Sequence, residues 1–209
     1  ESPLGFKLES QETVPSSGWK IEKVSDRKVR DEWKPLWGKR AVVEDHFNEL
    51  VIDLVNPAGQ PERMQLVVRG YNDGFAFCYK IPDGKGPCVN VQSELTAYNF
   101  AGDYTAWFYN GENHNIGPEK LTETDGTRLP VMTVKAGDKH YMAIHEACLE
   151  TGAPLVLQSK GGESLFSVAS KPTSLSPGYT SAWRVVLYGT TPGVLTDSHL
   201  LELLNPDPD

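Results

Sequence analysis

Apolar residues recur along this chain with a period of two. They form short stretches broken by Gly, Pro, Asn and Asp, and the 3.6-residue period of an amphipathic helix is nearly absent. The pattern predicts strands at 4–8, 19–24, 42–46, 50–54, 64–69, 75–81, 88–91, 105–108, 131–134, 141–145, 155–157, 165–168 and 182–187. So many short strands predict an all-β chain folded as two packed antiparallel sheets, a β-sandwich. The clearest hairpin spans 64–81, because Asn72-Asp73-Gly74 tolerates the positive φ a tight turn needs. Phe75, Phe77 and Tyr79 then share one face. Further turns are predicted at 56–60 and 82–86, and short helical pieces near 31–33 and 192–195.

Composition narrows the class. Of 209 residues, 39% are hydrophobic and 23% charged, with 19 Gly and 15 Pro spread along the chain, as in a folded, turn-rich domain. A sandwich of this length forms one unit around a continuous core, so residues 1–209 are read as a single domain. The formal charge of -8 comes from acidic residues scattered among basic ones, which leaves no basic stripe for a phosphate backbone. No apolar run approaches the ~20 residues of a membrane-spanning helix, so neither nucleic acid nor membrane is an expected partner. The first residues lack the basic and apolar regions of a signal peptide. Cys78, Cys88 and Cys148 have no metal-ligand spacing and are expected as small buried thiols, a Cys78–Cys88 bridge across a hairpin being the alternative.

Three features stand out on the predicted strands. Along Tyr141-Met142-Ala143-Ile144-His145-Glu146, Glu146 ends the stripe made by Met142 and Ile144. A carboxylate in a core position calls for a metal, a basic partner or a strand end open to solvent. His145 alternates away from it, so the two neighbours cannot form one dyad without a bulge. His46 and Asn48 head the stripe continued by Leu50, Ile52 and Leu54, where they would cap a sheet edge or line a cleft. Trp33, Trp37 and Trp107 sit beside Pro and Gly, a composition suited to stacking on sugar rings but expected here as core packing. No phosphate loop, nucleophile elbow or metal-spaced His pair is present.

Several segments, in order, resemble the N-terminal domain of glycoside hydrolase family 97, a family of α-glucosidases and α-galactosidases. They are Ser2-Pro3-Leu4-Gly5, Trp33-Lys34-Pro35-Leu36-Trp37-Gly38, His46-Phe47-Asn48-Glu49-Leu50, Tyr71-Asn72-Asp73-Gly74-Phe75-Ala76-Phe77, Gly102-Asp103-Tyr104-Thr105-Ala106-Trp107, Ile144-His145-Glu146-Ala147 and Ala182-Trp183-Arg184. The resemblance implies a super-sandwich of the galactose-mutarotase type, followed in the complete enzyme by a catalytic barrel. The family's barrel would begin about where Leu204-Asn205-Pro206 ends this chain, and one or two strands would precede Ser2, so the chain is expected to be truncated at both ends relative to the family.

The resemblance further implies calcium as cofactor, with Glu146 reaching into the barrel as one ligand. It makes the barrel of the parent chain and an oligosaccharide the partners, and the location periplasmic or secreted. Catalytic residues are expected on the barrel, none on this chain, while His46, Asn48, His145 and Trp107 are candidates for the substrate cleft or the interdomain face. Two other readings compete. One is a stand-alone carbohydrate-binding module stacking sugars on Trp37, Trp107 or Tyr104; the other is an aldose epimerase, for which His46 and Glu146 would be acid and base.

Overall fold

The computed structural model describes residues 2–9, 18–57, 59–111 and 115–206. In chain order the strands are β1 (Phe6–Leu8), β2 (Lys20–Trp33), β3 (Val43–Val55), β4 (Arg63–Tyr71), β5 (Gly74–Lys80), β6 (Val89–Glu94), β7 (Ala97–Asn99), β8 (Thr105–Tyr109), β9 (Asn115–Lys120), β10 (Asp125–Lys135), β11 (Tyr141–Ala147), β12 (Leu157–Lys160), β13 (Leu165–Val168), β14 (Ser174–Leu175) and β15 (Trp183–Gly189). Two short helices follow, α1 (Pro192–Asp197) and α2 (Leu200–Leu203).

All pairings are antiparallel, and they build two layers. The first runs β2-β3-β4-β5-β15-β11-β10, with β8 and β9 beyond. Strand β10 belongs to both layers: residues from Met132 to Lys135 pair with β11, while Asp125 to Arg128 pair with β12. Through β12 and β13 the chain reaches β7, and β6, which precedes β7, holds β1 and β14 on its two sides. The small sheet β1-β6-β14 packs Phe6, Leu8, Val91 and Leu175 on Met64, Phe77 and Tyr79 of the large one. Where β10 folds over, Phe108, Met132 and Ile144 meet Leu157 and Phe166. The outer face of the large sheet is covered in part by Leu200 and Leu204, which pack on Val67, Val185 and Leu187.

Several sequence expectations change. The strands foreseen at 42–46 and 50–54 are one strand, because Phe47 and Glu49 continue the ladder opposite Val29 and Arg27. Asn48 and Glu49 interrupt the apolar run but not the hydrogen bonds. The helical piece near 31–33 is strand, since Asp31 faces Asp45 and Trp33 faces Val43 in that register. The helix near 192–195 is present as α1. Cys88 is exposed and all three thiols are free, so the expectation of three buried thiols holds for Cys78 but not for Cys88. Burial pushes the Cys78 thiol up to about 12.

Strand β2 forms one margin of the large sheet, with Lys23, Asp26, Lys28, Arg30 and Glu32 exposed along it. At the predicted 64–81 hairpin, Asn72 and Asp73 make the turn and Tyr71 pairs with Gly74. Gly74 is required by proximity as well as by its φ of 156°, because a Cβ there would lie 2.3 Å from the Val186 carbonyl oxygen. Gly74→Ala is therefore expected to lower the urea midpoint, corresponding to a loss of about 1–3 kcal/mol.

Candidate functional site

Arg184 projects from β15 into the space between the layers. Its Nε donates to Glu94 Oε1 at 3.0 Å and its Nη2 to Glu94 Oε2 at 2.6 Å, a two-point pair with both side chains 1% exposed. Glu94 ends β6, so this pair ties the two layers together. The remaining nitrogen, Nη1, donates to the Ala153 carbonyl at 3.2 Å and lies 3.6 Å from Glu146 Oε2. Glu146 stands directly opposite Arg184 in the β11–β15 ladder and also accepts the Leu155 N–H. Of the three compensations the sequence left open for Glu146, the structure shows the basic partner.

The carboxylate turns inward and its side chain is 10% exposed. Burial pushes the Glu146 carboxyl above the usual range, opposed by the Leu155 N–H and Arg184 and reinforced by Glu94. Two carboxylates thus share one guanidinium. The β11–β15 register runs without a shift, so His145 points to the outer face. There its Nδ1 accepts the Glu146 N–H at 2.8 Å, and burial lowers its basicity.

A second charged cluster occupies that outer face. Glu49 is 7% exposed and accepts from Arg27 Nε at 2.5 Å and from Arg69 Nε at 2.8 Å. The Arg69 guanidinium lies 4.4 Å from the Phe47 ring and 4.9 Å from that of Trp183, stacked on both. Burial alone would raise the Glu49 carboxyl, but the two guanidinium groups outweigh it and hold it below the usual range.

The remaining candidates do not converge. His46 and Asn48 lie on β3, with β4, β5 and β15 between them and Glu146, about 19 Å away at ~4.8 Å per strand. An acid–base pair of His46 and Glu146 is therefore excluded in this fold. The stripe at 46–54 is also the less buried side of β3: Asn48 is exposed and Leu50 is 37% exposed, while Val43, Phe47 and Glu49 are buried on the other side. The small sheet covers only the Leu54 end of that stripe. Trp107 on β8 is 36% exposed, its Cδ1 placed 3.1 Å from where a Gly117 Cβ would stand. Trp37 is 88% exposed, contrary to the core packing expected for it. Glu94 and Glu49 carried no sequence signal. Arg184 carried one, as a lone charge within the apolar run at 182–187.

The fold is a two-layer β-sandwich with charge buried between its layers, and among the described residues no group of three His, Cys, Asp or Glu side chains is placed to hold a metal ion. The family profile described as Glycosyl-hydrolase 97 N-terminal matches residues 1–206, and the chain belongs to that family. A curated relative, a probable retaining alpha-galactosidase of Streptomyces bingchenggensis (strain BCW-1), is 29% identical over 168 residues, covering 72% of this chain and 25% of its own. Among solved structures, a glycoside hydrolase family 97 enzyme from Pseudoalteromonas sp. strain K8, in complexes with panose and with acarbose, superposes with a TM-score of 0.86 at 24% identity. It covers 98% of this chain and 33% of its own. A beta-arabinopyranosidase superposes with a TM-score of 0.75 at 18% identity, covering 90% and 34%. The chain thus spans a quarter to a third of the length of these relatives.

Two measurements test the charge clusters. Arg184→Met strands two inward carboxylates and is expected to cost about 3–5 kcal/mol of stability in chemical denaturation. Glu49, whose folded pKa lies below its unfolded value, stabilises the fold above pH 4.5, and that stabilisation is lost as pH falls through the folded pKa. The stability difference between the native chain and Glu49→Gln should accordingly shrink on acidification below pH 4.5.

Proposed function

We propose that this chain is the N-terminal domain of a glycoside hydrolase that cleaves α-glucosides or α-galactosides, and that it completes an active site whose catalytic carboxylates stand on a separate barrel. The match of the whole sandwich, residues 1–206, to a family whose compared members are three to four times as long carries this reading. Hydrolysis of a glycosidic bond takes two carboxyl groups flanking it, one protonating the leaving oxygen and the other acting as base or nucleophile. The inward carboxylates of this chain, Glu94 and Glu146, sit against Arg184 between the layers and are not placed to flank a sugar.

Calcium takes six to eight oxygen ligands, of which Glu146 can supply at most two. The fit to this chain is therefore that of one ligand among several from elsewhere. The charge balance supports it: Arg184 is engaged twice by Glu94 and reaches Glu146 only at 3.6 Å, so a cation beside Glu146 would offset the excess carboxylate. When bound, the ion would supply a fixed positive charge beside the Glu146 carboxylate. Glu146 holds its place through the Leu155 N–H and through its position at the end of β11.

In the full-length enzyme, 4-nitrophenyl α-glucoside or α-galactoside should be hydrolysed in a manner abolished by EDTA and restored by calcium. Glu146→Gln should raise the calcium concentration needed for half activity by about tenfold or more, a loss of ~1.4 kcal/mol. Calorimetry on residues 1–209 alone should show no submicromolar calcium binding. A submicromolar site there would mean that the domain owns its metal centre, against this reading.

A further inference from the structure

Strand β11 loses one of its two neighbours partway along. β10 pairs with it from Lys135–Tyr141 to Met132–Ile144 and then crosses to the other layer, while β15 stays paired on the far side as far as Ala147. In a continued register Val131 would stand opposite His145 and Pro130 opposite Glu146. The Ala136 N–H donates to the His140 carbonyl, so the even-numbered residues of β11 are those whose amides face β10. Glu146 and Cys148 continue that series past the point where β10 has left. An amide without its ladder partner has to be satisfied elsewhere, and here two side chains do it. His145 Nδ1 accepts the Glu146 N–H at 2.8 Å, and Asn205 Oδ1 accepts the Cys148 N–H at 2.9 Å.

Both bonds bear on the Glu146 carboxylate. Arg184 comes no nearer to it than 3.6 Å, outside hydrogen-bond range, so its place depends on the backbone that carries it and on the Leu155 N–H it accepts. Cys148 is the non-glycine residue with positive φ, 54°, among the described residues, a conformation that persists only where the surroundings impose it. From that turn the chain leaves β11 and returns Leu155 to Glu146. Asn205 is itself held on α2, where its Nδ2 donates to the Leu201 carbonyl at 2.6 Å and its N–H to that of Glu202 at 3.2 Å.

We propose that His145 and Asn205 are positioning residues for Glu146: their side chains stand in for the departed strand, hold the end of β11 and the turn at Cys148, and thereby fix where the Glu146 carboxylate meets the Leu155 N–H. Their consequence for calcium rests on the function proposed above, whereas the hold on the carboxylate is measured without metal.

The test is amide hydrogen exchange followed by NMR on residues 1–209 with no metal added. His145→Leu keeps bulk on the outer face and removes the acceptor. Relative to Ala143, it should speed exchange at Glu146 and at Leu155 about five- to tenfold, the measure of one lost hydrogen bond. His145→Asn should restore both rates, because a side-chain oxygen on an extended strand can take the next amide, as Asp31 Oδ1 takes the Glu32 N–H at 2.8 Å. Asn205→Ala, at an exposed position, should speed Cys148 and Leu155 in the same way. If His145→Leu does not fold, the Leu155 rate in Asn205→Ala and in His145→Asn decides. Faster exchange at Glu146 or Cys148 with Leu155 unchanged would overturn the proposal, since each side chain would then cap one amide and nothing more. Acceleration no greater at Leu155 than at Ala143 would overturn it as well. In the full-length enzyme, His145→Leu should raise the calcium concentration needed for half activity about fivefold or more. A loosened Leu155 with no calcium-dependent activity in that enzyme would leave the positioning standing and remove the calcium reading. Calcium-dependent hydrolysis with native Leu155 exchange in both variants would remove the positioning alone.

Discussion

The contact between Arg184 and Glu94 joins a strand of one layer to a strand of the other at a depth where neither side chain reaches water. Removing both ions from solvent is expensive, and the two-point geometry together with the Ala153 carbonyl is what makes the arrangement tolerable. Much of the interior is organised around it. Tyr79, on the neighbouring β5, accepts the Gly5 N–H and shares a hydrogen bond with Thr96 just beyond Glu94. The segment from Ala153 to Leu155 is held on one side by Arg184 and on the other by Glu146. The end of β11 is therefore fixed by charge as much as by packing, and the inward-turned Glu146 carboxylate keeps one orientation.

In the function proposed above, Glu146 would have to be placed before groups of another domain arrive, and a backbone donor and a guanidinium hold it in one place.

Much of the fold was legible in the sequence because strands with one buried face write their period into the chain. The hairpin turning at Asn72-Asp73 and the run at 182–187 stand as expected. Short strands such as β7 and β14 left too few residues to establish a period, and β9 has Ile116 as its one large apolar residue. The side of β3 was misread because polar residues are buried there by mutual pairing. Glu49 enters the protein between two arginines, one from each neighbouring strand, and no local pattern records a partner about 20 positions away. Trp37 was misread for the opposite reason: aromatic residues are usually core, and only the geometry of the β2–β3 connection shows that this one has nothing above it. For Glu146, the apolar stripe identified the oddity, and the identity of the compensating group required the cross-strand neighbour Arg184.

The long margin made by β2 has a bearing on how this domain behaves when concentrated. A strand of 14 residues with no strand paired on its outer side among the described residues is a template on which another chain could extend the sheet. Lys23, Asp26, Lys28, Arg30 and Glu32 give that template a strongly hydrated fringe of both signs. A second molecule approaching edge to edge would have to strip water from these ions. The margin thus discourages fibre growth.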